Sequence, residues 1–189
     1  NVSLVQVDGS SSSGGDGSSS TATAPSTAAA TPVARNAQDV VSIFSDAYTN
    51  VTVDEWGPDW GGTSARIVDA TAGGNAVKAI QIAANKVFTG ISFTGAKFDA
   101  SAFTTMHVDY WIASPLNAGQ VVNIKLSNHD GSAETSAIQT TIASPTAGQW
   151  VSLDIPLGDF VDASDPANLS RNAVAQIVIT AARADPSQP

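Results

Sequence analysis

Trp56 and Trp60 bracket the tripeptide Gly57-Pro58-Asp59, and Gly61 and Gly62 follow at once. Two indoles in a stretch so rich in turn formers have two uses. Exposed, they stack their flat apolar faces on sugar rings while neighbouring Asp, Asn and Gln side chains bond the hydroxyls. Buried, they cap the end of a β-fold. A second group carries the same palette: His107, Asp109 and Trp111 occupy alternate positions of one segment, and Asn123 and Lys125, with His129 beyond them, alternate positions of the next. If those two segments pair, an indole stands ringed by polar groups, as in a sugar site. The rival reading is a solvated face with Trp111 packed beneath a loop.

Catalytic constellations are missing from the sequence. Glycoside hydrolysis needs two carboxyl groups at a fixed separation, one with a raised pKa, and Glu55, Glu134 and the aspartates form no motif that would pair them. His107 and His129 are the two imidazoles of the chain, and it holds neither a Gly-x-Ser-x-Gly elbow nor a His-Glu-x-x-His. A lyase needs a basic neutraliser for its substrate's carboxylate, and the basic residues are few. Without cysteine there is no disulfide framework, thiolate zinc site or cysteine nucleophile. The expectation is a binding protein and not an enzyme.

Seventeen acidic residues against eight basic ones give a net charge of −9. That field repels a phosphate backbone, so nucleic acid is not expected as a partner and neutral ligands fit better. No apolar run approaches the roughly 20 residues that span a bilayer, so no membrane contact is expected either.

The elements that must hold these residues alternate with period two. Met106, Val108, Tyr110 and Ile112 point one way and His107, Asp109 and Trp111 the other; Val122, Ile124 and Leu126 alternate with Asn123, Lys125 and Ser127; Val151, Leu153, Ile155, Ile177 and Ile179 continue the pattern. Gly73-Gly74-Asn75, Ser114-Pro115-Leu116-Asn117, Asp130-Gly131, Ser144-Pro145 and Ala147-Gly148 punctuate it. Short strands between such turns predict an all-β, antiparallel β-sandwich. Val108, Tyr110, Ile124, Leu126, Leu153, Ile155 and Ile177 are its expected core, with Phe103, Met106 and Trp150 structural. Helix is confined to a turn capped by Asn36 and an irregular turn over 156–160.

Upstream, Gly9 to Thr31 is almost wholly Ser, Gly, Thr, Ala and Pro. Such a tract buries too little apolar surface to offset the entropy of ordering it, and reads as a flexible spacer. The chain therefore divides into residues 1–8, a linker over 9–34 and a domain over 35–189. Asn1 to Val7 reads as a β-strand without a neighbour in sequence. It is either the remnant of a preceding module or a strand that docks into this domain, within its own chain or by exchange with another copy.

The segment Asp39-Val-Val-Ser-Ile-Phe-Ser-Asp-Ala-Tyr-Thr-Asn50, followed by Trp56-Gly-Pro-Asp-Trp-Gly61, resembles the opening of an accessory module of secreted bacterial polysaccharidases. Its hosts are family-16 glycoside hydrolases that cut β-1,3-glucans such as laminarin. Met106-His-Val-Asp-Tyr-Trp111 and Trp150 to Phe160 look like its middle and late strands, and the likeness extends over about Pro32 to Ser187. The resemblance implies a galactose-binding-like jelly roll and non-catalytic binding of a polysaccharide, β-glucan first and alginate or agarose as alternatives. It also implies a catalytic domain in the same full-length protein and an extracellular location. Such modules usually end in a strand carrying Asp-Asn-Ile or a similar triplet, which Asn1-Val-Ser-Leu-Val5 resembles. By the same analogy one reading gives a structural Ca²⁺ with Asp46, Asn50 and Asp154 as oxygen ligands, and the rival reading gives surface carboxylates and turn-forming Asp; no EF-hand spacing is present. The alternative of another class is a structural or adhesive sandwich in a secreted array.

Overall fold

A computed structural model describes residues 24–62, 64–81, 88–113, 119–162, 164–165 and 167–183. Asn1 to Val7 and most of the Ser/Gly-rich spacer lie outside the described residues. The alternating segments become nine strands: β1 (Glu55–Trp56), β2 (Arg66–Ala72), β3 (Asn75–Gln81), β4 (Phe88–Ser92), β5 (Thr105–Trp111), β6 (Gln120–Asp130), β7 (Ala133–Ile142), β8 (Trp150–Pro156) and β9 (Val174–Arg183). All their pairings are antiparallel. The chain is all-β, as the periodicity predicts. Among the described residues, helix is limited to 3-10 turns at Ala37–Asp39, Thr94–Ala96 and Leu157–Asp159. Two of these fall where irregular turns are expected. The Asn36 side chain accepts no backbone N–H of its turn; its Nδ2 donates to Asp39 Oδ2 at 3.2 Å, and its carbonyl accepts from Asp39 N at 2.9 Å.

Five strands pair in the order β1-β4-β9-β6-β7, while β2–β3 form a hairpin and β5–β8 a two-stranded sheet whose strands are separated in sequence by β6 and β7. The β2–β3 turn is Gly73-Gly74, both at positive φ, the conformation that a tight hairpin turn demands. One apolar cluster joins all three sheets: Ile80, Val108, Tyr110, Ile91, Ile124, Leu126, Ile138 and Ile177 are buried in it. A register row across the large sheet explains why. Ile91 faces Ile177, Ile177 faces Leu126 and Leu126 faces Ile138, so four branched side chains stand on the same inner face. Of the expected core residues, Leu153 and Ile155 are half-buried against the cluster, as are Phe103 and Met106. Phe93 and Phe160 are fully enclosed although their local sequence has no clear alternation.

Strand β6 carries a bulge. Its register shifts between Ser127 and Asn128 against β9 and between Asn128 and His129 against β7. The Asn128 amide absorbs the break: Nδ2 donates to Ser170 O at 2.6 Å and to Ser136 Oγ at 3.0 Å, and Oδ1 accepts from Ala173 N at 3.1 Å. Past the bulge the alternation of β6 no longer holds, and His129 is buried at 4% exposure.

The spacer is not a free tether over its whole length. Pro25 is buried, Thr27 O accepts from Trp150 Nε1 at 2.7 Å, and the backbone of Thr27 and Ala28 packs on Gly73 so closely that any Cβ there would overlap it. Farther on, Arg35 N donates to Tyr48 Oη at 2.9 Å. Ala and Pro carry few rotamers to lose, so a few such contacts suffice to hold this strap.

Candidate functional site

The loop after β1 lays one indole on the outside of the large sheet. Gly57, at φ +65°, turns the chain and donates its N–H to Gly90 O at 2.9 Å. The Asp59 carboxylate braces the loop, with Oδ1 accepting from Gly61 N and Ser64 Oγ, both at 3.2 Å. Trp60 then lies over Gly90 of β4, where any Cβ would collide with the indole. Its ring stacks on Phe88 at a centroid distance of 6.4 Å and an interplanar angle of 17°. It remains 41% exposed.

Polar side chains share that outer face. Register rows run Phe88–Thr180–Asn123–Thr141, Gly90–Val178–Lys125–Gln139 and Ser92–Gln176–Ser127–Ala137 across β4, β9, β6 and β7. Strands lie about 4.8 Å apart, so Asn123 and Lys125 stand about 10 Å from the strand beneath the Trp60 indole. Several of these groups are fixed in place. Lys125 Nζ meets Glu134 Oε2 at 2.8 Å, Ser127 Oγ donates to the same oxygen at 2.6 Å, and Thr141 Oγ1 donates to Asn123 Oδ1 at 2.8 Å. Partial burial would raise the Glu134 carboxyl. The hydrogen bonds from Lys125 and Ser127, and the charges of Lys125 and His129, outweigh it and hold the group below its ordinary value.

Trp56 behaves differently from its neighbour. It pairs with Ile91 on the inner side, meets Phe44 edge-on at 5.9 Å, and has Lys78 Nζ 4.4 Å above its ring. Trp56 is thus packed at the core rim while Trp60 stays partly exposed.

The expected juxtaposition of His107, Asp109 and Trp111 with Asn123 and Lys125 does not form. Strand β5 pairs with β8, and β6 with β9 and β7, so the two groups stand on different sheets. Alternation fixes which face a residue takes but not which strand lies beside it. On β5–β8, His107 bonds Asp154 Oδ1 through Nδ1 at 2.8 Å and Asp109 Oδ2 through Nε2 at 3.3 Å, and Asp109 is 1% exposed. Trp111 meets Trp150 edge-on at 5.9 Å, and its Nε1 is buried without a hydrogen-bond partner among the described residues. His129 is buried at the bulge, paired in register with Glu134.

Of the expected metal ligands, Asp46 is exposed in a bend, Asn50 spends its amide on Ser42 Oγ and Ser45 O, and Asp154 is bonded to His107. Among the described residues no three His, Cys, Asp or Glu side chains gather to hold a metal ion. Among the described residues, too, no helix is long and apolar enough to cross a membrane.

Phe88 and Gly90 are the members of the Trp60 site that the sequence reading missed. A signal was present: Phe88-Thr-Gly-Ile-Ser92 is a strand with an isolated glycine, which marks a close approach by another group. Comparison of the chain with protein-family models, curated proteins and solved structures finds no match.

Proposed function

We propose that this chain is a non-catalytic carbohydrate-binding module and that the outer face of the large sheet, centred on Trp60, is its binding surface. The observation that carries this reading is the indole itself: seated over Gly90, stacked beside Phe88 and still 41% exposed, with fixed hydroxyl, amide and ammonium groups two strands away. An open π-face takes the C–H face of a pyranose, and Asn123, Lys125 and Gln176 serve the hydroxyls of adjoining rings. The face extends across several strands, which suits a polysaccharide more than a single sugar. The resemblance to modules of family-16 hydrolases makes a β-1,3-glucan the first ligand and a secreted, enzyme-tethered protein the setting. The jelly-roll topology belongs to the same reading. The net charge of −9 disfavours anionic alginate. In such an arrangement the module raises the effective concentration of a linked enzyme on its substrate.

Affinity electrophoresis through gels containing laminarin, agarose or alginate tests this directly. Retardation by laminarin that disappears in Trp60→Ala supports the reading. No retardation by any of the three, or retardation that survives Trp60→Ala, removes it.

A further inference from the structure

We propose that the cleft between β5 and the Val40–Ser45 segment is an acceptor slot for a β-strand, and that its occupant is this chain's own Asn1–Val7. Strand β5 has one neighbour, β8, so its other edge is unpaired among the described strands. A cavity of about 230 Å³ is lined by Thr105–His107 of this strand and by Val40–Ser45, with Asp154 and Leu157 also on its wall. Its walls include Phe44, Phe98, Met106, Leu126 and Ile177. Native interiors hold few voids larger than a water, whereas this one opens onto the middle of the core beside an unpaired strand edge. On the opposite wall Ser42 bridges Asn50 in parallel, and its carbonyl accepts from Val51 N at 2.8 Å.

The strap that partly covers the slot is poorly suited to fill it. Pro32 and Val33 border the cavity, and proline has no N–H to give to the edge of β5. Its described hydrogen bonds lie toward its ends, at Thr27, Val33 and Arg35, and two of the three are made to Tyr48 Oη. Asn1–Val7 has what the strap lacks. It contains neither proline nor glycine, it sets Val2 and Leu4 against Val5 and Val7, and its seven residues equal the seven of β5. The route is short. Thr27 sits by Trp150, which faces Trp111 at one end of β5, and Arg35 lines a pocket with Thr104 and Thr105 at the other, so this part of the chain already runs the length of the slot. With the strap released, residues 8–34 form a spacer reaching roughly 25–30 Å, enough to return a strand of about 23 Å to the slot. This slot is separate from the Trp60 face, so either proposal can fail without the other.

Amide hydrogen exchange on the full, unsubstituted chain tests it. Val2 to Val7 are expected to exchange at least about 100-fold more slowly than in a free peptide of the same sequence, with equal protection after tenfold dilution of a monomeric sample. Exchange at the peptide rate overturns the proposal. Protection that disappears on dilution together with a dimer assigns the strand to a second copy and overturns the own-chain occupant. Val5→Pro provides the second arm: protection of the segment is expected to collapse while the amides of β6 and β9 keep theirs. Unchanged protection in that variant overturns it as well.

Discussion

Two outward faces of this molecule carry tryptophan beside polar side chains, and they are built in opposite ways. On β5–β8, Trp111 and Trp150 meet edge to face, Trp150 Nε1 is tied to the strap, and His107 is held between two carboxylates. On the large sheet, Trp60 stacks against Phe88 and remains 41% exposed. The residue types are nearly the same. On both faces polar side chains pair with one another; what differs is how much aromatic surface stays uncovered, and composition alone does not report that.

The sharpest way to break this contrast is a pair of alanine variants. Trp60→Ala is expected to weaken laminarin retention at least tenfold, about 1.4 kcal/mol, with little change in thermal melting. Trp150→Ala is expected to do the reverse: retention intact, and stability lower by about 2 kcal/mol, below the usual cost for a fully buried tryptophan because the side chain is half-exposed. Parallel losses of both properties in both variants would erase the distinction between the faces.

Next in size is Gly90→Ala. A methyl group there must push the indole off the sheet, so retention is expected to fall several-fold while a tryptophan remains in the sequence. Retention equal to that of the parent would show that Trp60 works in some other pose. Smaller again is Lys125→Ala, expected to weaken retention about two- to fivefold, the scale of one net hydrogen bond, with His107→Asn as the matched control on the other face that leaves retention unchanged.

The smallest effect concerns pH. A carboxyl whose folded pKa lies below its unfolded one contributes stability that is present above the unfolded value and disappears as pH falls through the folded value. Glu134 is such a group. The Lys125–Ser127–Glu134 arrangement is therefore expected to persist from neutral pH down to about pH 4 and to be lost below it. In Glu134→Gln that contribution is absent, and the acid limb of the stability curve should flatten slightly.

The period-two alternation made the strands legible, since Val108, Tyr110, Ile124, Leu126 and Ile177 all face the core as their spacing predicts. Pairing was not legible. The sequence places His107 and Lys125 on outward positions, but the sheet to which each belongs depends on long-range order that alternation does not encode. His129 shows a second limit, because one inserted residue at the Asn128 bulge changes the parity of everything after it. Trp60 was legible as a candidate because an indole in a Gly-rich loop has few uses. That Trp60 and not Trp56 stays open depends on Gly90, thirty residues farther along the chain.

That glycine has a thermodynamic consequence. A tryptophan swinging on a loop must give up its rotamers when a ligand docks, at about 0.5–1.5 kcal/mol for an immobilised side chain. Trp60 is already confined between the bare backbone of Gly90 and the ring of Phe88, so that loss falls in folding and not in association. Replacing Phe88 by alanine would leave the indole in place but freer to rock. Calorimetry on such a variant should then show weaker binding through a less favourable entropy, with the enthalpy of stacking retained.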